Sequence, residues 1–375
     1  MNLTALDEDS AASYIYSADD NILILIVVPA FLAASLMGNL AFLFVVYRIP
    51  QMRTISNFYL ANLAVADIAY LCVVCCRNLA YYFISPIRGD VPFQSSIGCI
   101  LVAGSTYTCY FASIFLVTLV GMERFFAICL PIVHRRVSGR SRTIKLVVAT
   151  WFIAVCFAAA QVPSSAVLVK DCIKWPPTEK YADYPEITHY CSGIDDNYYL
   201  YSNIIQVSPF FASIVANSVF YVSIVWTLNR SAQSFGSADR NQPNQAAQAR
   251  NQVTRLLFVN ASVFFLCQAP FQVAVLLGTT DIPYLLTNEQ FEMFFLIARI
   301  LIYLNSTVNP IVYTITSPRY RKACWKAFGF DKEERRPTGH PGSITTVTSR
   351  VPSRVNSTNQ TDIDNDDVRD DDSRL

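Results

Sequence analysis

The feature that most constrains this chain is a series of seven apolar stretches. They begin near Ile22, Asn57, Ile97, Thr143, Tyr198, Gln252 and Phe291. About 20 apolar residues in helical form cross the roughly 30 Å hydrocarbon core of a bilayer. No water is present there to take backbone hydrogen bonds, so a crossing segment must satisfy its own, and a helix does. The expected fold is an all-α membrane protein, a bundle of seven transmembrane helices. Composition agrees, with 53% of the 375 residues hydrophobic and 15% charged, against about 25% charge in soluble domains. With only three histidines, and eleven cysteines lying mostly among apolar runs, a structural zinc site is not expected.

Lys and Arg concentrate in alternate connectors, which sets an orientation. Arg48 and Arg53 follow the first span. Arg135, Arg136, Arg140, Arg142 and Lys145 follow the third, Arg230, Arg240 and Arg250 the fifth, and Arg319, Arg321, Lys322 and Lys326 the seventh. The N-terminus is therefore expected outside and the C-terminus in the cytoplasm. Residues 1–20 read as a polar, acidic outer segment without the marks of a cleavable signal peptide. Residues 21–317 hold the bundle, and 318–330 a short amphipathic basic helix on the inner leaflet. Residues 331–375 are polar, rich in Ser and Thr and finally acidic, the composition of a disordered tail. The connector SAQSFGSADRNQPNQAAQ is also expected to be flexible.

Polar residues inside the spans carry the next argument, because a central charge costs roughly 2.5–3.5 kcal/mol to insert. Asp67 sits deep in its span and needs polar partners, which Asn39, Ser113, Asn305, Ser306 and Asn309 offer. Such a cluster suits a sodium ion or a proton, or a purely structural network. Glu123 and Arg124 lie side by side at the inner end of span three. One reading is an arginine that snorkels beside a neutralising neighbour. The other is a switch in which breaking the pair frees Arg124 for a second partner. Pro209, Pro270 and Pro310 weaken spans five, six and seven and let the bundle bend. Arg77 and Arg299 point to an outer cavity that invites a carboxylate, an amide carbonyl or an acidic side chain. Alternatively each pairs with a nearby acid such as Glu292. Nothing forms a nucleophile–base pair, a metal set or a phosphate loop, so an enzyme is not expected.

An ordered set of motifs then becomes specific. It comprises Gly38–Asn39, LAVAD ending at Asp67, Cys99, ERF at Glu123–Phe125, Trp151, Pro209, CQAP at Cys267–Pro270 and NPIVY at Asn309–Tyr313. Over all seven spans and the short terminal helix, the chain resembles rhodopsin-like G-protein-coupled receptors. MRTISNFYLANLAVAD and RILIYLNSTVNPIVY look like stretches of thyrotropin-releasing-hormone receptors and related invertebrate neuropeptide receptors.

The resemblance implies a plasma-membrane receptor for a small peptide that activates a heterotrimeric G protein, with Gq suggested. It implies that Glu123 holds Arg124 at rest, that span six swings outward on activation, and that Arg124 then meets the G protein. Ile132 resembles the residue that enters a G-protein pocket. Ile114, Pro209 and Phe264 resemble the repacking triad, and Asn309, Pro310 and Tyr313 belong to a segment whose tyrosine turns inward. Asp67, Ser113, Asn305 and Asn309 resemble a sodium site, the only cofactor implied. Tyr107 and Arg299 match ligand contacts; Arg77, Phe111, Phe271 and Gln272 complete the expected ligand set. Gln268 stands where Trp is usual, Asn217 replaces a Tyr, Asn260 an apolar residue, and Phe125 the commoner Tyr, so altered basal activity is expected.

Further modifications follow from the same likeness. Cys99 is expected to bond to the loop after span four. That loop offers Cys172 and Cys191; spacing leaves both open, and the family pattern favours Cys191. The loop is expected to form a β-hairpin lid. Asn2 in NLT is an outer glycosylation sequon, and Cys324 is a palmitoylation candidate. Tail Ser and Thr residues suit a receptor kinase and arrestin. Lipids are partners; nucleic acid is not. The stretch GSTYTCYF holds no Asp for an amine ligand, and ARILIYLNSTVNP no Lys for retinal. A receptor for a lipid or acidic metabolite, and a transporter or channel, are the alternatives.

Overall fold

Each apolar stretch is helical, and some of the helices begin at a residue whose side chain caps them. The computed structural model describes residues 3–195, 198–235, 245–279 and 288–330. Helices α1 (Glu8–Tyr14) and α2 (Ala18–Ile22) lead through a π-helical turn, Leu23–Val27, into α3 (Val28–Arg48). There follow α4 (Ile55–Ile84), α5 (Ser96–Cys129), α6 (Pro131–Val137) and α7 (Arg140–Gln161). Next come α8 (Tyr198–Phe235), α9 (Gln245–Leu277), α10 (Asn288–Thr316) and α11 (Pro318–Ala327). Seven segments, containing α3, α4, α5, α7, α8, α9 and α10, are long and apolar enough to cross a membrane. The Thr54 hydroxyl caps α4 by accepting from Asn57 N at 3.3 Å, and Ser317 caps α11 by accepting from Tyr320 N at 3.2 Å. The expected amphipathic helix at 318–330 is thus α11.

One end of the bundle carries a small sheet of β1 (Leu3–Ala5), β2 (Val167–Lys174) and β3 (Ile187–Ser192). β2 and β3 form the expected antiparallel hairpin, and β1 adds to β2 in parallel. The register sets Leu168 opposite Cys191, and Cys191 is bonded to Cys99 at the start of α5. Cys172 is a free thiol, which resolves the choice between the two loop cysteines. The opposite end carries α6, α11 and most of the basic residues of the connectors. These are called the hairpin end and the basic end.

Residues 1–20 read as a polar segment, and from Leu3 onward they fold onto the hairpin end through β1, α1 and α2. The Arg88 amide donates to Tyr14 O at 2.7 Å, and the Arg88 guanidinium reaches Asp20 at 3.9 Å and Glu292 at 3.8 Å. The borders of the connector expected to be flexible are helical, since α8 runs to Phe235 and α9 begins at Gln245. Residues 236–244, Asn2 and the tail 331–375 lie outside the described residues.

The core centres on α5, where Phe111, Ala112, Ile114 and Leu116 are fully buried, alongside Phe42, Phe210 and Phe264. In lipid, close packing and interhelical hydrogen bonds hold helices together, because lipid tails compete for apolar surface. The contact of α3 with α10 shows both. Pro310 has no N–H, so the carbonyl of Ser306 one turn earlier loses its helical donor. Ser35 Oγ and Asn39 Nδ2 both donate to that carbonyl at 3.0 Å. Gly38 makes the approach possible: a Cβ there would lie 3.1 Å from Pro310 Cγ. The Gly38–Asn39 and NPIVY motifs are thus two halves of one joint.

Candidate functional site

At the hairpin end, α4, α5, α9 and α10 enclose a cavity of about 440 Å³ beneath β3. Arg77, Tyr107, Phe271 and Arg299 line it, as expected from the sequence. Phe111 and Gln272 do not. Both are fully buried behind the wall. Phe111 faces α7, with its ring 5.4 Å from that of Phe157. Gln272 is enclosed, and neither of its amide atoms has a hydrogen-bond partner among the described residues. The sequence reading missed Tyr70, Tyr81, Tyr110, Gln206 and Tyr303, which also line the cavity. Helical spacing could have found four of them: Tyr110 lies three residues after Tyr107, Tyr303 four after Arg299, and Tyr70 and Tyr81 seven before and four after Arg77.

Four acids among the described residues of this end, Asp20, Glu292, Asp90 and Asp171, have partners of their own. Arg88 holds Asp20 and Glu292. Asp90 accepts from the His189 amide at 2.8 Å. Partial burial, and then a hydrogen bond with Asp171, hold the Tyr190 phenol above its ordinary pKa, so it stays neutral. The alternative in which Glu292 neutralises Arg299 is therefore not what the structure shows. Arg77 donates from Nε and one Nη to Asn78 Oδ1 at 3.3 Å, and Arg299 Nε is buried without a hydrogen-bond partner.

Mid-bundle, Asp67 is almost fully buried and accepts from Asn309 Nδ2 at 2.6 Å and from Ser113 Oγ at 3.5 Å. Asn305 is buried nearby in α10, and its Oδ1 and that of Asn39 have no donor. Among the described residues no three His, Cys, Asp or Glu side chains come together to hold a metal. A single carboxylate with neutral oxygens instead fits a hard cation of low charge. Above this level Ile114, Pro209 and Phe264 are all buried, and Gln268 is buried with its Oε1 unsatisfied. Asn217 donates to Thr118 Oγ1 at 3.2 Å and to Ser213 O at 2.9 Å, and rests against Gly121, where a Cβ would lie 2.3 Å from its Oδ1.

At the basic end the expected Glu123–Arg124 ion pair is not formed. Side chains of α6 and α7 reach the Glu123 carboxylate instead. His134 Nε2 in α6 lies 2.8 Å from Glu123 Oε1, and Arg142 in α7 lies 3.7 Å from Oε2. Arg124 Nε is buried with no hydrogen-bond partner. Arg124 borders a cavity of about 220 Å³ shared with Asn57, Leu256, Leu257 and Tyr313. Tyr313 is buried against Phe42 and Tyr320, with ring centroids at 4.9 and 6.1 Å. Ile132, at the start of α6, is 77% exposed, which leaves it free to meet a partner.

This arrangement joins a lidded cavity at one end to an arginine at the other, Arg124, whose Nε has no hydrogen-bond partner among the described residues, through three helices that carry an internal proline. Comparison with known proteins agrees. Residues 38–313 match the model of the 7 transmembrane receptor (rhodopsin family). The chain is 27% identical over 319 residues to the growth hormone secretagogue receptor type 1 of Sus scrofa, covering 82% of this chain and 81% of the relative. It is 29% identical over 292 residues to the neuromedin-U receptor 2 of Mus musculus, covering 76% of this chain and 70% of the relative. With the family model spanning the bundle from the α3–α10 joint to Tyr313, the chain belongs to the rhodopsin family of seven-transmembrane receptors.

Proposed function

We propose that this multi-pass membrane receptor binds a small peptide at its hairpin end and activates a heterotrimeric G protein at its basic end. It is a signalling receptor and not an enzyme. The observation that carries the reading is the cavity of about 440 Å³ under a disulfide-tethered hairpin, of the size that suits ligand pockets. Relatives named for growth hormone secretagogue and neuromedin U support a hormone-like ligand. The clustering of Lys and Arg supports placing the hairpin end outside and the basic end in the cytoplasm.

Ligand binding acts by differential affinity: a peptide that binds the open-cytoplasm state more tightly shifts the population toward it. Arg124 then meets the G protein, and Ile132 docks beside it. Gq coupling, arrestin and a receptor kinase acting on 331–375 belong to the same proposal, as does glycosylation at Asn2. A sodium ion at Asp67, Ser113, Asn305 and Asn309 would favour the resting state. A calcium and cAMP screen of expressing cells against short peptides, with Arg124→Ala as control, tests the reading. A peptide response that survives Arg124→Ala would contradict it.

A further inference from the structure

Among the described residues, the hairpin-end cavity is lined by two arginines and no acid. Its wall holds Arg77 from α4 and Arg299 from α10, with Tyr70, Tyr107 and Tyr303 among the neighbours. No Asp, Glu or Lys among the described residues is in the lining. Carboxylates near the mouth are taken up by Arg88, by the His189 amide and by Tyr190. Arg77 has only the neutral amide oxygen of Asn78 as acceptor, and Arg299 makes no ion pair among the described residues. Two half-buried guanidiniums thus line one cavity with no ion pair among the described residues, and buried charges seek partners. Planar guanidinium groups on two different helices suit one acceptor group held from both sides.

We infer that the ligand carries a formal negative charge, held between Arg77 and Arg299. The charge is a carboxylate, either an acidic side chain or a free C-terminus, and the surrounding tyrosines pack on the adjoining residue. This rests on the receptor reading above and narrows its ligand to an anionic one. A ligand whose only acceptors are amide carbonyls would leave the positive potential of the site uncompensated.

The experiment uses full-length receptor in cells and a library of short peptides. Each peptide is made as the free acid and as the C-terminal amide, and each acidic member again with Asp or Glu replaced by Asn or Gln. A panel of simple dicarboxylates is tested alongside. The expected result is a response that falls roughly 10- to 100-fold when the one recognised carboxylate is made neutral, the size of one or two charge-assisted hydrogen bonds. Terminal and side-chain arms show which carboxylate is read. In Arg77→Gln and Arg299→Gln receptors with normal surface expression, the charged and neutral forms converge in potency. Arg77→Lys retains the preference in part, which separates lost charge from lost fold. A responding peptide whose neutral form is equally potent overturns the anionic ligand and leaves the peptide reading standing. A response to dicarboxylates and to no peptide, lost in Arg77→Gln, upholds the anion site and overturns the peptide reading.

Discussion

The two ends of the bundle each hold a guanidinium that makes no ion pair among the described residues, for opposite reasons. At the hairpin end Arg77 and Arg299 share a cavity whose described lining holds no carboxylate. At the basic end a carboxylate adjoins Arg124 in sequence, but His134 and Arg142 occupy it. The first site is unsatisfied by composition and the second by competition. Composition is fixed, so the first is changed only by something arriving from outside. Competition is adjustable, because any motion of α6 or α7 that releases Glu123 offers Arg124 its expected neighbour. A pocket that takes ligands and a switch that moves between states need these different designs.

The comparison breaks most completely at Arg124. Arg124→Ala is expected to abolish G-protein activation while leaving ligand affinity at the far end within a few-fold, measured by nucleotide exchange and by binding on the same membranes. If exchange persists, Arg124 is a packing residue.

Next in size is the lid. Removing a native disulfide costs about 2–5 kcal/mol in small secreted domains, and here Cys99–Cys191 ties β3 over the cavity. Cys191→Ser is expected to weaken ligand binding strongly and lower the thermal midpoint, while Cys172→Ser changes neither. Equal effects of the two variants would mean that the tether does not shape the pocket.

A smaller effect is expected at the joint of α5 with α8. Gly121→Ala places a Cβ on Asn217 Oδ1 and is expected to cost about 1–3 kcal/mol, as overpacking usually does. The double variant with Asn217→Ala should recover most of that loss in thermal unfolding, since the clash leaves with the amide. Additive losses would place the strain elsewhere.

The smallest effect lies at the exposed rim. The Ser10 side chain, and then the Ser10 backbone N–H that donates to Asp7 Oδ1 at 2.9 Å, hold the Asp7 carboxyl below its ordinary value. A depressed folded pKa gives a contribution that is complete above the unfolded value of about 3.9 and fades as pH falls through the folded one. Amide exchange at α1 should therefore speed up only in acid, with no change near neutrality. A pH-independent exchange rate, or the same profile in Asp7→Ala, would contradict the cap.

Much of this was legible in the sequence, and the divide follows what a linear chain encodes. Span positions come from hydrophobicity, and all seven match helices. Motif pairs such as Gly38–Asn39 with Pro310 were readable because each meets a backbone need created by the other. Rotation about a helix axis was less readable. Phe111 and Gln272 sit in the right turns but face inward, because packing against α7 and the neighbouring helices decides their direction. Adjacency misled at Glu123 and Arg124, where His134 and Arg142 reach the carboxylate instead. His134 was not singled out in the sequence, and its contact with Glu123 depends on α6 folding back along α5. The N-terminal segment shows no apolar periodicity; its order comes from β2 and Arg88.

The most direct test of the competition at the basic end is ligand-free nucleotide exchange on a reconstituted G protein. Four receptors are compared: wild type, His134→Ala with Arg142→Ala, Glu123→Gln, and all three changes together. The double variant is expected to lower basal exchange, because Glu123 is released to hold Arg124, and the same two changes should have no such effect once Glu123 is Gln. An equal fall in both backgrounds, or a rise in the first, would show that His134 and Arg142 do not keep Glu123 from Arg124.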